Sequence, residues 1–127
     1  MNREVIQTSA APKPIGPYSQ AIRVGNLVFI SGQIAFDPVA MKLVNDDVES
    51  EVRQVFENLQ AVARAAGGSL AQACKLNVYL TDMGYLPKVN EAIPKYCAEP
   101  YAARTSIGVA ALPRGARVEV EAVLQLG

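Results

Sequence analysis

Asp46-Asp47-Val48-Glu49-Ser50-Glu51-Val52-Arg53-Gln54-Val55-Phe56-Glu57-Asn58-Leu59-Gln60-Ala61-Val62-Ala63-Arg64-Ala65-Ala66-Gly67-Gly68 is the clearest periodic stretch of the chain. Val48, Val52, Val55, Phe56, Leu59, Val62, Ala63 and Ala66 recur at steps of three and four, the spacing that lines one face of a helix over 46–66. Asp46 followed by Glu49 has the form of a capping box, and the acidic first turn suits the helix dipole. Gly67-Gly68 ends the run.

The sequence on either side of this helix reads mostly as strands. Upstream, residues 8–17 form a loop, because Pro12, Pro14 and Pro17 cannot donate to a ladder. Ala21–Val24 and Leu27–Ser31 then alternate around Gly25-Asn26, a two-residue hairpin signal. Asp37-Pro38 marks another turn. Downstream, Cys74–Thr81 puts Leu76, Val78 and Leu80 on one face. Residues 84–97 read as a second helix, with Leu86, Val89, Ile93 and Cys97 on one side. Pro87 fits its first turn, whereas Pro94 should kink or shorten it. Thr105–Ala110 and Arg117–Gln125 read as strands joined by Leu112-Pro113-Arg114-Gly115.

The expected order is β-β-β-α-β-α-β-β, an α+β fold in one domain over 1–127, with two helices on one face of a mixed sheet. Two helices cannot cover both faces of five or six strands. Burial of the uncovered face against other copies is the simplest remedy, so an oligomer is expected.

Composition narrows the chemistry. The chain has 127 residues, half of them apolar, and its 12 Lys+Arg balance its 12 Asp+Glu. That balance argues against a general nucleic-acid or anionic-membrane binder. No apolar run approaches the roughly 20 residues that span a bilayer, and Met1–Val5 lacks the apolar core of a signal peptide. Cys74 and Cys97 form no CxxC and no disulfide framework, so two free, partly buried thiols in a reducing cytosol are expected. There is no histidine. That excludes Ser-His-Asp and Cys-His sites and every His-ligated metal. An ordinary carboxylate is a weak base near neutral pH, so the substrate should already be electrophilic.

The residues that could act are few. Glu119 and Glu121 lie two apart on one face of the last strand, opposite Val118, Val120, Ala122 and Leu124. From spacing alone they read as a solvated strand face, although Val123 continues that face and argues for an interface. Arg104, at a loop-to-strand junction, reads as a surface residue or as a planar fork for a carboxylate. Ile15-Gly16-Pro17-Tyr18-Ser19-Gln20 fixes an aromatic hydroxyl in a stiff loop. Gly32 in Ser31-Gly32-Gln33 permits close approach of a ligand to the backbone. No phosphate loop, metal cluster or dinucleotide fingerprint is present.

Four stretches together resemble the RidA/YjgF family: Ile15–Ala21, Ile30–Ile34, Ala103–Gly115 and Val118–Ala122. Lys88-Val89-Asn90-Glu91 adds a fifth, and the match runs in order over nearly the whole chain. The resemblance implies a chorismate-mutase-like fold and a homotrimer whose sheets form a barrel, with clefts between subunits. It implies deamination of enamines and imines such as 2-iminobutanoate and 2-iminopropanoate to 2-oxo acids and ammonia, without cofactor or metal. Arg104 would bind the substrate carboxylate. Glu119 would position water, with a backbone carbonyl at Ser106, and Tyr18, Gly32 and Asn90 would line the cleft. A small 2-imino or 2-oxo acid is then the expected ligand, in the cytoplasm, with neither membrane nor nucleic acid as partner. The chain departs from the family pattern at Ala102, where proline is common, at Ser106, often cysteine, at Gly84-Tyr85-Leu86, and at Pro94. Two alternatives remain: an endoribonuclease or translation inhibitor, activities also attributed to the family, and a ligand-binding regulator without turnover.

Overall fold

The computed structural model describes residues 2–127, so Met1 of the N-terminal segment lies outside it. The elements are β1 (Glu4–Ile6), β2 (Ala21–Val24), β3 (Leu27–Gln33), α1 (Val48–Ala65), β4 (Ala73–Leu80), α2 (Leu86–Tyr96), β5 (Ala103–Gly108) and β6 (Val118–Gln125). The strands form one sheet in the order β1-β2-β3-β6-β4-β5. Every neighbouring pair is antiparallel except β4 and β5, which run parallel and are joined through α2. The expected mixed sheet and element order are therefore both present.

Local chemistry explains the boundaries. Val24 pairs with Leu27 across Gly25-Asn26, and Gly25 takes the left-handed conformation (φ 62°) that the tight hairpin needs. The first helix starts one residue later than the capping-box reading requires. Asp47, not Asp46, is the cap, and its carboxylate accepts from the Ser50 amide at 2.7 Å. An N-cap oxygen reaches only the second or third amide of the helix, and Asp46 stands one residue too early for that. At the other end the Gly68 amide donates to the Ala63 carbonyl at 3.0 Å while Gly67 adopts φ 91°. Pro94 does not stop α2 at once. The helix runs to Tyr96, and the Cys97 amide still reaches the Ile93 carbonyl at 2.8 Å. Pro94 lies in the last turn, where the chain needs few further bonds.

The core lies between α1 and the sheet. Val52, Val55, Phe56, Leu59 and Val62 meet Val28, Ile30, Leu76, Val78, Leu80, Val118, Val120 and Leu124, all buried. The opposite sheet face is open. Phe29 is 45 % exposed and Ile107 44 %, large apolar surfaces for a face no helix covers. Two polar residues of α1 that the apolar pattern passes over are also buried, Glu51 and Asn58. Glu51 accepts from the Arg117 amide and from Arg117 Nε, both at 2.7 Å. Asn58 donates to the carbonyls of Ile34 and Phe36.

Candidate active site

Strand parity decides where the candidate residues point. On β6, residues 118, 120, 122 and 124 face the helices, so Glu119 and Glu121 face the open side. Ala122 pairs with Leu76, and Leu76 pairs with Arg104 on β5. Arg104 therefore lies on the helix side of the sheet and Glu119 on the other.

Arg104 stands at a recess of about 440 Å³ lined by Leu76, Asn90, Ile93, Pro94, Tyr101 and Ala102. Its Nη1 donates to Asn90 Oδ1 on α2 at 2.6 Å. Asn90 is neutral, and among the described residues Arg104 has no carboxylate partner. The guanidinium is thus oriented without being neutralised. Ser106 follows two residues on, level with buried Val78, and its Oγ is buried without a hydrogen-bond partner among the described residues.

Glu119 stands at a second recess, of about 570 Å³, lined among others by Lys13, Tyr18, Gly32, Arg114 and Glu121. The register of β3 against β6 shifts between Ile30 and Gln33, and this bulge carries Ser31 and Gly32. A methyl group at position 32 would lie 2.5 Å from Glu119 Oε2, so only glycine leaves room for the carboxylate as placed. Burial pushes the Glu119 carboxyl above its ordinary value, and the neighbouring Glu121 charge adds to the rise.

The loop bearing Tyr18 is tied down by a residue that the sequence reading passed over. Buried Gln20 accepts from the Thr8 amide at 2.7 Å and donates to the carbonyls of Thr8, Ala11 and Pro12. Ser31 Oγ donates to the Ser19 carbonyl at 2.6 Å. Tyr18 itself is 52 % exposed, a rim residue and not part of the core. The only sequence signal for Gln20 is a long amide after a Pro-rich loop whose backbone carbonyls, here those of Thr8, Ala11 and Pro12, have no ladder donors.

One chain thus brings Arg104, Asn90 and Ser106 to one side, and Glu119, Tyr18 and Gly32 to the other. The cysteines differ from the expected pair of partly buried thiols: Cys74 is exposed and Cys97 is buried. Cys74 sits in the register shift of β4 against β6 between Ala73 and Lys75, its Sγ donating to the Val123 carbonyl at 3.4 Å, whereas Cys97 closes the end of α2. Among the described residues no three His, Cys, Asp or Glu side chains converge as metal ligands. No described helix is long and apolar enough to cross a membrane.

The family model described as Endoribonuclease L-PSP matches residues 8–125. The chain belongs to the RidA/YjgF family. A RutC family protein of Pyrococcus horikoshii is 47 % identical over 121 residues, covering 95 % of this chain and 96 % of that protein. The 2-iminobutanoate/2-iminopropanoate deaminase of Mus musculus is 43 % identical, covering 98 % and 93 %. The crystal structure of RidA from Psychrobacter sp. PAMC 21119 superposes with a TM-score of 0.92 at 47 % identity, covering 97 % of this chain and 99 % of that one. The RidA/YjgF motifs fall on both recesses, Ala103–Gly115 beside Arg104 and Ile15–Ala21 with Ile30–Ile34 beside Glu119.

Proposed function

We propose that this chain hydrolyses 2-imino acids such as 2-iminobutanoate and 2-iminopropanoate to 2-oxo acids and ammonia, as a cytoplasmic homotrimer. The observation that carries the reading is the Arg104 guanidinium, held by neutral Asn90 and left free of any carboxylate within the described chain. A planar cation so prepared suits a substrate carboxylate gripped at two oxygens. Deaminase relatives of similar length support the substrate class.

The two recesses open on opposite faces of one sheet, so a small substrate cannot touch Arg104 and Glu119 of the same subunit. Packing of the open faces around a three-fold axis would bring the Arg104 recess of one subunit to the Glu119 recess of the next. Phe29, Leu27 and Ile107, still 45 %, 36 % and 44 % exposed, would be buried by it; full burial of such a side chain is worth about 1.5–3 kcal/mol, so the share left to gain is about 0.5–1.4 kcal/mol each.

The chemistry then follows. Arg104 fixes the carboxylate and so places the adjacent C=N carbon. That carbon is electrophilic when the nitrogen is protonated. Glu119, aided by the Ser106 carbonyl, orients a water and takes its proton as the C–O bond forms. A carboxylate pushed up by burial is a better base than an ordinary one. Protonated Glu119 returns its proton to the carbinolamine nitrogen, the C–N bond breaks with its electron pair leaving on ammonia, and an oxygen lone pair forms the new C=O as the hydroxyl proton passes back to Glu119 and on to the ammonia. Tyr18, Gly32 and Asn90 frame the substrate.

The test is ammonia release from 2-iminobutanoate generated in situ by an amino-acid oxidase. Acceleration over the spontaneous rate is expected. A rate equal to the uncatalysed one rejects the enzyme and leaves a binding protein.

A further inference from the structure

Glu121 takes no part in the reaction above, yet the fold holds it with care. Its Oε1 accepts from Asn77 Nδ2 at 3.1 Å and, in a short hydrogen bond, from the Tyr79 hydroxyl. Both donors come from β4. Asn77 is the register partner of Glu121, whereas Tyr79 is the partner of Glu119 and reaches across to Glu121. An amide and a phenol are neutral, so they orient the carboxylate without cancelling its charge. The phenol also stays protonated, because its hydrogen bond to Glu121, followed by burial and the two nearby carboxylates, raises its pKa.

Glu119 and Glu121 are roughly 7 Å apart along the strand, inside the ~10 Å over which salt leaves charges unscreened. Both line the same recess and are half-buried. The other charged or titratable groups lining it are Lys13 and Tyr18 from the N-terminal loop and Arg114 from the β5–β6 connection, while Tyr79 from β4 meets the pair through its hydrogen bond to Glu121. Arg114 is drawn aside, its guanidinium 5.4 Å from the Phe36 ring centroid.

We propose that Glu121, oriented by Asn77 and Tyr79, is a positioning residue: a fixed negative charge that tunes Glu119 as the base. The proposal rests on the deaminase reading for its consequence, but not for the coupling of the two carboxylates. Burial and a like charge act in the same direction on Glu119. Removing the charge of Glu121 therefore makes Glu119 a stronger acid and a weaker base.

The experiment uses the full chain and Glu121→Gln, which keeps a carbonyl oxygen for Asn77 and Tyr79. The Glu119 carboxyl is titrated by carbon-13 NMR, and the pH profile of kcat/KM is recorded beside it. In Glu121→Gln the Glu119 midpoint and the acidic limb of the profile both move to lower pH. Tyr79→Phe, which keeps the charge, moves the midpoint less. A midpoint unchanged in Glu121→Gln overturns the proposal, as does one that moves equally in Tyr79→Phe. If Glu121→Gln does not fold, a Tyr79→Phe midpoint moved by a full pH unit also overturns it, and a smaller move supports it. Failure of the wild type to speed ammonia release refutes the deaminase reading, while the titration still decides the coupling.

Discussion

Gly32→Ala separates the geometry of the proposed base from the stability of the fold. A methyl at position 32 would lie 2.5 Å from Glu119 Oε2, 3.0 Å from Cδ and 3.2 Å from Cγ. Ordinary contact begins near 3.4 Å, so the carboxylate oxygen has to retreat by roughly 0.9 Å. The far end of a side chain can yield, and Gly32 is not among the positive-φ glycines, so alanine fits the backbone. The fold is therefore kept, and the loss of unfolded-chain freedom is worth up to about 1 kcal/mol in its favour. Catalysis is not kept. Displacing a reacting group by about 1 Å costs on the order of 100-fold, equivalent to about 2.7 kcal/mol of barrier. The assay is steady-state ammonia release from 2-iminobutanoate, with binding of 2-oxobutanoate measured by calorimetry. kcat should fall 10- to 100-fold, by the same estimate, while 2-oxobutanoate affinity changes little, because Arg104 belongs to the other recess. A variant within about threefold of wild-type kcat at unchanged stability refutes the claim that this carboxylate must stand where Gly32 lets it.

Arg104→Lys keeps the charge but loses the fork that Asn90 orients, so kcat/KM should drop about 10- to 100-fold with thermal stability intact; near-wild-type turnover removes the carboxylate anchor. Glu51→Ala strips two partners from Arg117, whose side chain is 30 % exposed, and should cost about 3 kcal/mol in denaturant unfolding; a loss below about 1 kcal/mol denies the pair a structural role. Tyr96 is pushed up to about 12 by burial and then by its hydrogen bond to Glu57. A group raised in the folded state stabilises below its ordinary value of 10.0, and that stability is lost as pH rises from 10.0 toward about 12. Wild-type stability should fall more steeply than that of Tyr96→Phe across this window, and parallel curves contradict the assignment.

How much was legible in the sequence depends on how local the signal is. The helix over 46–66 carried its own period, and Gly25-Asn26 carried its own turn, so both fell where expected. Asp46 reads as the cap because Glu49 stands three residues on, the capping-box spacing, but the chain enters the helix one residue later and it is the Asp47 oxygen that reaches the Ser50 amide. Glu51 and Asn58 lie on the apolar stripe of α1, yet Glu51's partner Arg117 is 66 residues away and the carbonyls to which Asn58 donates are 24 and 22 residues away. A charge on an apolar face is the only trace such a pair leaves. Gln20 is of the same kind, since its partners are the carbonyls of Thr8, Ala11 and Pro12, eight to twelve residues upstream in the irregular Pro-rich loop. Arg104 and Glu119 were found through family motifs. Their separation could not be, because it needs the register that links β5 to β6 through β4.

That register yields the sharpest test of the proposed trimer. Period-two alternation means that only an odd shift in pairing could bring Arg104 and Glu119 to one face, and the ladder from Arg104 through Leu76 to Ala122 has none. If two subunits share each cleft, two impaired variants can repair each other. Arg104→Lys chains retain Glu119, and Glu119→Gln chains retain Arg104. Random trimers from equal amounts of the two contain both wild-type groups in roughly a quarter of their clefts. Unfolding and refolding the mixture should therefore recover about a quarter of wild-type ammonia release from two preparations that each retain about a tenth of it or less. Mixing without unfolding controls for subunit exchange. If refolded mixtures stay as inactive as their parents while sedimenting as trimers, the site is not shared, and one chain must hold both groups in a conformation that breaks the observed ladder.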